Sequence, residues 1–152
     1  MAIFDAMLEL DDALDLSTHT ATEVEASTNV IDWVNSDLEM GAGSPLWLNV
    51  KVGTAFGSSG AATLTVALMA ETDTTIDTDS TTVYTTGAVA LAALTAGAYV
   101  IRMPLPYDVD QDQYTGLLYT IGTAAMTAGT VDAWIDQGPS SNYDTQVSAS
   151  NI

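Results

Sequence analysis

The sequence predicts an all-β domain, and three observations support this prediction. Several runs of residues alternate between apolar and polar side chains, as half-buried strands do. Residues that favour turns, chiefly Gly, Pro, Ser and Asn, separate these runs. Thr and Val, which suit pleated strands, occur throughout the chain. Roughly seven or eight short strands with such turns are typical of a sandwich, a jelly roll or a barrel.

The clearest strands lie where apolar residues recur at every second position. In residues 46–52, Leu48 and Val50 share one face, and Trp47 and Lys51 share the other. The same alternation predicts four more strands, at residues 63–71, 98–105, 117–121 and 130–136. Weaker strand patterns occur near residues 19–34, 81–86 and 87–94.

The two ends of the chain differ from this strand-rich region, which spans residues 17–137. Residues 138–152 are small and polar, and we predict a loosely held C-terminal tail. Residues 1–16 are predicted to form an N-terminal arm outside the strands, either a short helix or an extended segment. The arm combines apolar residues with acids, so we predict that it associates with a partner through Ile3, Phe4, Met7, Leu8 and Leu10.

The charge of the chain is strongly one-sided. Lys51 and Arg102 are the only basic residues against twenty Asp and Glu, which gives a formal net charge of −18. Phosphate contacts require Lys and Arg, so the composition excludes nucleic acid as a partner. An anionic membrane surface is excluded for the same reason.

The inventory of reactive side chains predicts that the chain is not an enzyme. It has no Cys, and its one His, His19, lies among Thr residues without a nucleophile motif. We therefore predict no catalytic residue, no cofactor and no metal centre. Asp11, Asp12 and Asp15 are interpreted as a solvated acidic face. Two acidic loops leave a loose calcium site open, one with Asp73, Asp77 and Asp79 and the other with Asp108, Asp110 and Asp112.

The three tryptophans are the remaining candidates for a binding surface. Trp47 and Trp134 lie opposite the apolar stripe of their predicted strands, and Trp33 lies in a weaker strand region. Exposed aromatic rings mark binding surfaces, so all three are candidate partner contacts. Packing within the domain and stacking on a sugar are the alternatives.

Several segments of the chain, taken in order, resemble a known family. Two of them are Met40-Gly-Ala-Gly-Ser-Pro-Leu-Trp-Leu48 and Ala128-Gly-Thr-Val-Asp-Ala-Trp-Ile135. The others are Phe4 and Asp5 with Leu8, and residues 26–32, 54–56, 60–66, 94–97, 105–106 and 119–122. Together they resemble the capsid cement, or decoration, proteins of tailed phages, of the type found on Bordetella-like short-tailed phages.

This resemblance implies a fold, a location and partners. The fold would be an antiparallel two-sheet sandwich of jelly-roll type over residues 17–137. The protein, made in the host cytoplasm, would lie on the outer surface of the virion. There, as a homodimer or homotrimer, it would bridge major capsid subunits and stabilise the head. The charge agrees, because a packaged genome would repel this chain from the inside of a shell.

Two other functions fit the sequence as well. A tail-associated or secreted carbohydrate-binding β-sandwich would use the tryptophans to stack on sugars. A secreted surface protein of a halophile would use its acidity for solubility.

Overall fold

The alternating strands pair into two antiparallel sheets that pack face to face. The computed structural model describes residues 6–35, 46–106, 109 and 112–136. Within these residues the predicted all-β sandwich is confirmed, and jelly-roll connectivity stays a prediction. The predicted C-terminal tail, residues 138–152, lies outside the described residues.

Strands are numbered in chain order. Sheet A contains four strands, in spatial order β1 (Glu9–Asp15), β12 (Thr130–Asp136), β4 (Trp47–Val52) and β9 (Tyr99–Pro104). Sheet B runs β2 (Val24–Ala26), β10 (Tyr114–Gly122), β6 (Thr63–Glu71) and β7 (Thr81–Thr85), with β3 (Ile31–Asp32) beside β10 and β8 (Val89–Ala90) beside β6. A small third sheet pairs β5 (Gly57–Ser58) with β11 (Met126–Ala128), and short 3-10 helices span Ala6–Leu8 and Leu91–Ala93.

The core lies between sheets A and B and is built from the inward side of each strand. In β6, buried and half-buried residues alternate from Thr63 to Leu68, and in β4 the buried apolar residues are Leu48, Val50 and Val52. Burying one such side chain contributes about 1.5–3 kcal/mol relative to leaving it exposed. Alternation in the sequence therefore identified the inward faces of β4 and β6 correctly. In β9 it was wrong for Tyr99, which alternation places beside Ile101, because a register shift opposite Lys51 turns Tyr99 to the outer face.

The N-terminal segment corrects the prediction of an arm outside the strands. Residues 9–15 form β1, which pairs with β12 at the edge of sheet A. Leu10 and Leu16 are fully buried in the core. The prediction was wrong for these residues because two register irregularities disturb the alternation of β1. A fully buried Leu10 is a core residue and not a surface contact.

The other arm residues named as contacts have different positions. Met7 is 52% exposed, whereas Leu8 is half-buried against the core. Ile3 and Phe4 lie outside the described residues. Met7 thus stays a candidate contact, and Leu8 contributes mainly to packing.

Asp11 provides a second correction, because its side chain is only 2% exposed. Asp12 and Asp15 are exposed, as the predicted acidic face requires. The Tyr119 hydroxyl donates a hydrogen bond to Asp11 Oδ2 over 2.7 Å, and the Thr28 backbone N–H donates one to Oδ1 over 2.7 Å. Burial raises the pKa of Asp11 above its ordinary value and holds the pKa of Tyr119 well above its ordinary range. The Asp11–Tyr119 bond joins β1 of sheet A to β10 of sheet B.

The outer face of sheet B is covered by the chain's own loops. Met69, Ile76 and Leu118 form a small buried cluster there, on the side away from the main core. Gly116 makes this cover possible, because a Cβ at that position would lie 2.7 Å from Cγ1 of Ile76. One face of sheet B therefore packs in the main core, and the loop that carries Ile76 covers the other face.

The described residues include no helix with the length and apolar character needed to cross a bilayer.

Candidate functional site

The outer face of sheet A is the candidate binding surface. This face comprises the side chains of Glu9, Trp47, Asn49, Lys51, Tyr99, Arg102, Asp132, Trp134 and Asp136. On β4 and β12, strand alternation places these side chains on the side opposite the main core residues such as Val50 and Ala133. Sequence reasoning anticipated this side of both strands for Trp47 and Trp134.

Cross-strand register arranges this face in rows. Glu9 of β1 is opposite Trp134 of β12, Trp134 is opposite Asn49 of β4, and Asn49 is opposite Arg102 of β9. The next row runs from Asp132 through Lys51 to Tyr99. Directly opposed residues of antiparallel strands share a face, so the first row runs from an acid to a base and the second places Asp132 beside Lys51.

Tyr99 is the centre of the aromatic and cationic contacts. Its ring lies edge-on to Trp134, with centroids 6.4 Å apart and planes at 60°. Arg102 Cζ lies 4.9 Å and Lys51 Nζ 6.0 Å from the centroid of the Tyr99 ring. Both basic residues of the chain therefore lie within cation–π range of one ring.

The charges on this face are segregated by strand. The basic residues Lys51 and Arg102 belong to β4 and β9, and the acids Glu9, Asp132 and Asp136 belong to β1 and β12. Asp132 also stabilises the irregular edge, because its Oδ1 accepts the backbone N–H of Ala13 over 2.9 Å. The face is thus divided into an acidic half and a basic half.

Exposure on this face differs sharply between neighbours. Tyr99 is 37% exposed, whereas Trp134 is 8% exposed and Asn49 is fully buried. The Trp134 Nε1–H donates to Asp136 Oδ2 over 3.2 Å. Asn49 Oδ1 is buried with no hydrogen-bond partner among the described residues. Tyr99 and Arg102 are therefore the most accessible parts of the face.

The structure separates Trp33 from the other two tryptophans. Trp33 follows β3 at the edge of sheet B, and its Nε1–H donates to Thr115 Oγ1 over 2.7 Å. Trp47 and Trp134 lie on sheet A, where Trp134 is almost fully buried. The three indoles do not form one flat platform on which a sugar could stack.

The acidic loop at residues 71–80 uses its carboxylates within the loop. Asp73 Oδ1 accepts the backbone N–H of Thr75 over 2.7 Å, and Asp77 Oδ1 accepts that of Asp79 over 2.8 Å. In the described part of the chain, no three acidic or histidine side chains form a cluster that could hold a metal ion. Asp108 and Asp110 lie outside the described residues, so the second acidic loop stays a prediction.

His19 is part of a local pair. Its Nε2 lies 3.0 Å from Glu25 Oε2, and its backbone carbonyl accepts the N–H of Met126. These contacts tie the turn after β1 to β2 and β11. The lone histidine therefore has a structural role in this turn.

The surplus of acids predicts how stability depends on salt. The exposed acids include Asp12, Asp15, Glu23 and Asp79. Because the formal net charge is −18, the acidic side chains repel one another within one small domain. Raising NaCl from about 0.01 M to 0.5 M shortens the Debye length from about 30 Å to below 8 Å and should weaken this repulsion. We expect Tm to rise by a few degrees, since about 1 kcal/mol shifts Tm by about 2–4 °C at this size. Thermal melts monitored by circular dichroism measure the shift, and a Tm that falls with NaCl would contradict it.

Taken together, the two packed sheets and the outer face of sheet A define an antiparallel β-sandwich protein with one side covered by loops and one side that is polar and aromatic. A family model for Bbp16 matches residues 16–135, which is most of the chain. The chain belongs to the Bbp16 family, a family of Bordetella phage proteins. No curated protein matches it.

Proposed function

We propose that this chain is a capsid cement, or decoration, protein: a structural virion component without catalytic activity. It binds the outer surface of the phage shell, bridges major capsid subunits and stabilises the head. Membership of a phage protein family supports a role in the virion. The cement role itself is our inference.

The distribution of charge is the observation that carries the proposal. Exposed acids occur on the β1 edge, on the turn before β2 and on the loop over sheet B, as at Asp12, Glu23 and Asp79. Lys51 and Arg102, in contrast, share the outer face of sheet A. Packaged DNA carries one negative charge about every 1.7 Å of helix axis, so it repels such a surface. The outer side of a shell is the side where this protein lies without that repulsion.

The sandwich also suits a structural role. Its core is continuous between two sheets, and the outer face of sheet B is covered by its own loops. The described sandwich can bridge two neighbouring subunits without refolding on binding, which keeps the entropic cost that it contributes low.

The proposal is tested with shells purified without the protein. Purified protein is added at increasing concentration, and shells are separated from free protein by sedimentation. We expect saturable binding and a higher temperature of genome release for decorated shells. As a matched control, the same protein unfolded by heat and cooled in the presence of shells tests whether retention needs the native fold. Shells that retain no native protein, or that release their genome at the same temperature with and without it, would contradict the proposal.

A further inference from the structure

We propose that the outer edge of β2 binds an extended segment of another protein as an added strand of sheet B, and that basic residues alternate with apolar ones in that segment. The inference deepens the proposed function and rests on it for the source of the segment, which is a subunit of the shell. Backbone geometry, the regularity of β2 and the charge beside it support the inference.

The backbone of β2 has unused hydrogen-bonding groups on its outer side. β2 and β10 bond to each other at every second residue, and the pairs that bond in this way are Ser27 with Leu117, Glu25 with Tyr119, and Glu23 with Ile121. The residues between such pairs direct their N–H and C=O groups away from the neighbouring strand. The backbone groups of Val24 and Ala26 therefore face outward, and they have no hydrogen-bond partner within the described residues.

These outward groups are placed for a strand to reach them. Val24 is 40% exposed, and Glu23 before it is exposed as well. The N–H groups of Val24 and Ala26 are about 6.8 Å apart, which is the repeat at which one strand bonds to the next. An antiparallel segment would form about four backbone hydrogen bonds here, as in other proteins that bind a peptide at a sheet edge.

The other outer strands have features that hinder an added strand, as sheet edges commonly do. β1 has two register irregularities, and β7 has one opposite Leu68 and Met69. β9 ends at Pro104, which has no N–H to donate. The register of β2 is uninterrupted from Val24 to Ala26, so β2 is the outer strand best suited to receive a segment.

The acids beside this edge define the composition of the segment. Glu23 and Glu25 flank Val24 in the strand, so both project from the face opposite to Val24. The side chain of Glu25 is 43% exposed, although its Oε2 lies 3.0 Å from His19 Nε2. Cβ atoms of cross-strand neighbours lie about 4.5–5.5 Å apart. Residues of the added strand opposite the two acids are therefore Lys or Arg, and the residue between them, beside Val24, is apolar.

A second copy of this chain does not contain such a segment. Its only Lys and Arg residues are Lys51 and Arg102, which lie far apart in the chain and on different strands of sheet A. The segment therefore belongs to a different protein. A basic segment is also attracted over a distance by a chain whose formal charge is −18, which speeds its association.

A synthetic peptide tests the edge apart from the shell. The probe is a short peptide that alternates Arg and Val, added to the isotope-labelled full-length protein. We expect the amide hydrogen exchange of Val24 and Ala26, followed by NMR, to slow at least about tenfold when the peptide is added. The amide of Thr85, which faces outward on β7, should exchange as before.

The control peptide has the same side chains and a methyl group on each backbone nitrogen. It keeps the positive charge but cannot donate backbone hydrogen bonds, so we expect it to leave the exchange of Val24 and Ala26 unchanged. Equal protection by both peptides would show attraction by charge alone and would overturn the inference, as would protection by neither.

Val24→Pro tests the edge on the shell. It removes an outward N–H that the ladder does not use, and proline is tolerated at such positions of outer strands. We expect the dissociation constant for purified shells to rise about tenfold, because a hydrogen bond is lost and the ring hinders the added strand. Thr85→Pro, the matched control on β7, should bind as wild type does. Circular dichroism checks that both variants are folded.

A change of charge provides a second variant that does not depend on proline. Glu23→Gln should raise the dissociation constant about threefold, whereas Asp79→Asn, the same change on the exposed loop next to sheet B, should leave it unchanged. If wild type does not bind shells, the proposed function is wrong, and the peptide still decides whether the edge binds a strand. If wild type binds and folded Val24→Pro or Glu23→Gln binds equally tightly, the inference about the edge is wrong and the proposed function stands.

Discussion

Truncation of residues 1–16 is expected to abolish cooperative folding. It removes β1 from the edge of sheet A, together with Leu10 and Leu16, both fully buried. Loss of a buried Leu side chain costs about 2–5 kcal/mol, and a whole domain is stable by only about 5–15 kcal/mol. The truncation also leaves the hydroxyl of Tyr119 without its partner Asp11. The measurement is the thermal melt of the truncated chain, followed by circular dichroism.

Point substitutions separate the contribution of the core from general effects of truncation. Leu10→Ala should lower the free energy of unfolding by about 2–5 kcal/mol. Met7→Ala, three residues earlier and at a side chain that is 52% exposed, should change it by no more than about 0.5 kcal/mol. A truncated chain that melts cooperatively within a few degrees of wild type would restore the interpretation of this segment as an arm.

Tyr119→Phe should destabilise the protein by about 1–3 kcal/mol at pH 7, because it leaves Asp11 Oδ2 buried without its hydroxyl donor. The loss should depend on pH. Burial raises the pKa of Asp11, so the stability that this group contributes is complete below its ordinary pKa of 3.8 and is lost as pH rises through the folded pKa. The hydrogen bond from Tyr119 lowers the pKa of Asp11. Removing the hydroxyl should therefore raise that pKa further, so that the loss of stability continues to a higher pH than in wild type.

The difference between wild type and Tyr119→Phe should therefore be larger at pH 7 than at pH 4. Urea unfolding at both pH values gives the two free energies. Tyr84→Phe is the matched control, since Tyr84 is half-buried against the core on β7 and its hydroxyl has no hydrogen-bond partner among the described residues. We expect a change within about 0.5 kcal/mol for this control at either pH. If Tyr119→Phe loses the same stability at pH 4 and at pH 7, the contribution of this hydrogen bond does not depend on the protonation of Asp11, and the prediction is wrong.

The strands that could be predicted from the sequence are those with uninterrupted alternation. Residues 63–71 and 130–136 are strands over those same bounds. Residues 46–52 and 98–105 shorten by one residue at one or both ends, to Trp47–Val52 and Tyr99–Pro104. Their period of two is a direct consequence of one buried face, so it is visible without knowing the partner strands. The two-residue β5 has no such period, and nothing in the sequence marked it.

β1 could not be predicted because its irregularities remove the period. Leu10 and Asp11 are both buried although they are adjacent, and Ala13 has a φ of 51°. Adjacent buried residues occur where a bulge turns one of them toward the same side. Because the segment is rich in acids, the sequence favoured its interpretation as a solvated acidic face. That interpretation is correct for Asp12 and wrong for Asp11.

The candidate site was visible in part. Alternation predicted that Trp47, Lys51 and Trp134 lie opposite the core side of their strands. It could not predict that Glu9, Trp134, Asn49 and Arg102 form one row, because strand order and register are set by contacts between residues far apart in the chain. The separation of acidic and basic halves appears only when β1 and β9 are placed at opposite edges of sheet A.

The absence of a side chain at Gly116 limits how this protein can assemble. It lets Ile76 lie against sheet B, so that side of the sandwich is occupied by the chain itself. A sheet face that is covered by a loop of the same chain offers no apolar surface there to a second copy. Enlarging Gly116 to Ala would displace Ile76 and uncover the apolar surface of Met69 and Leu118, which would create an exposed apolar patch able to contact other molecules.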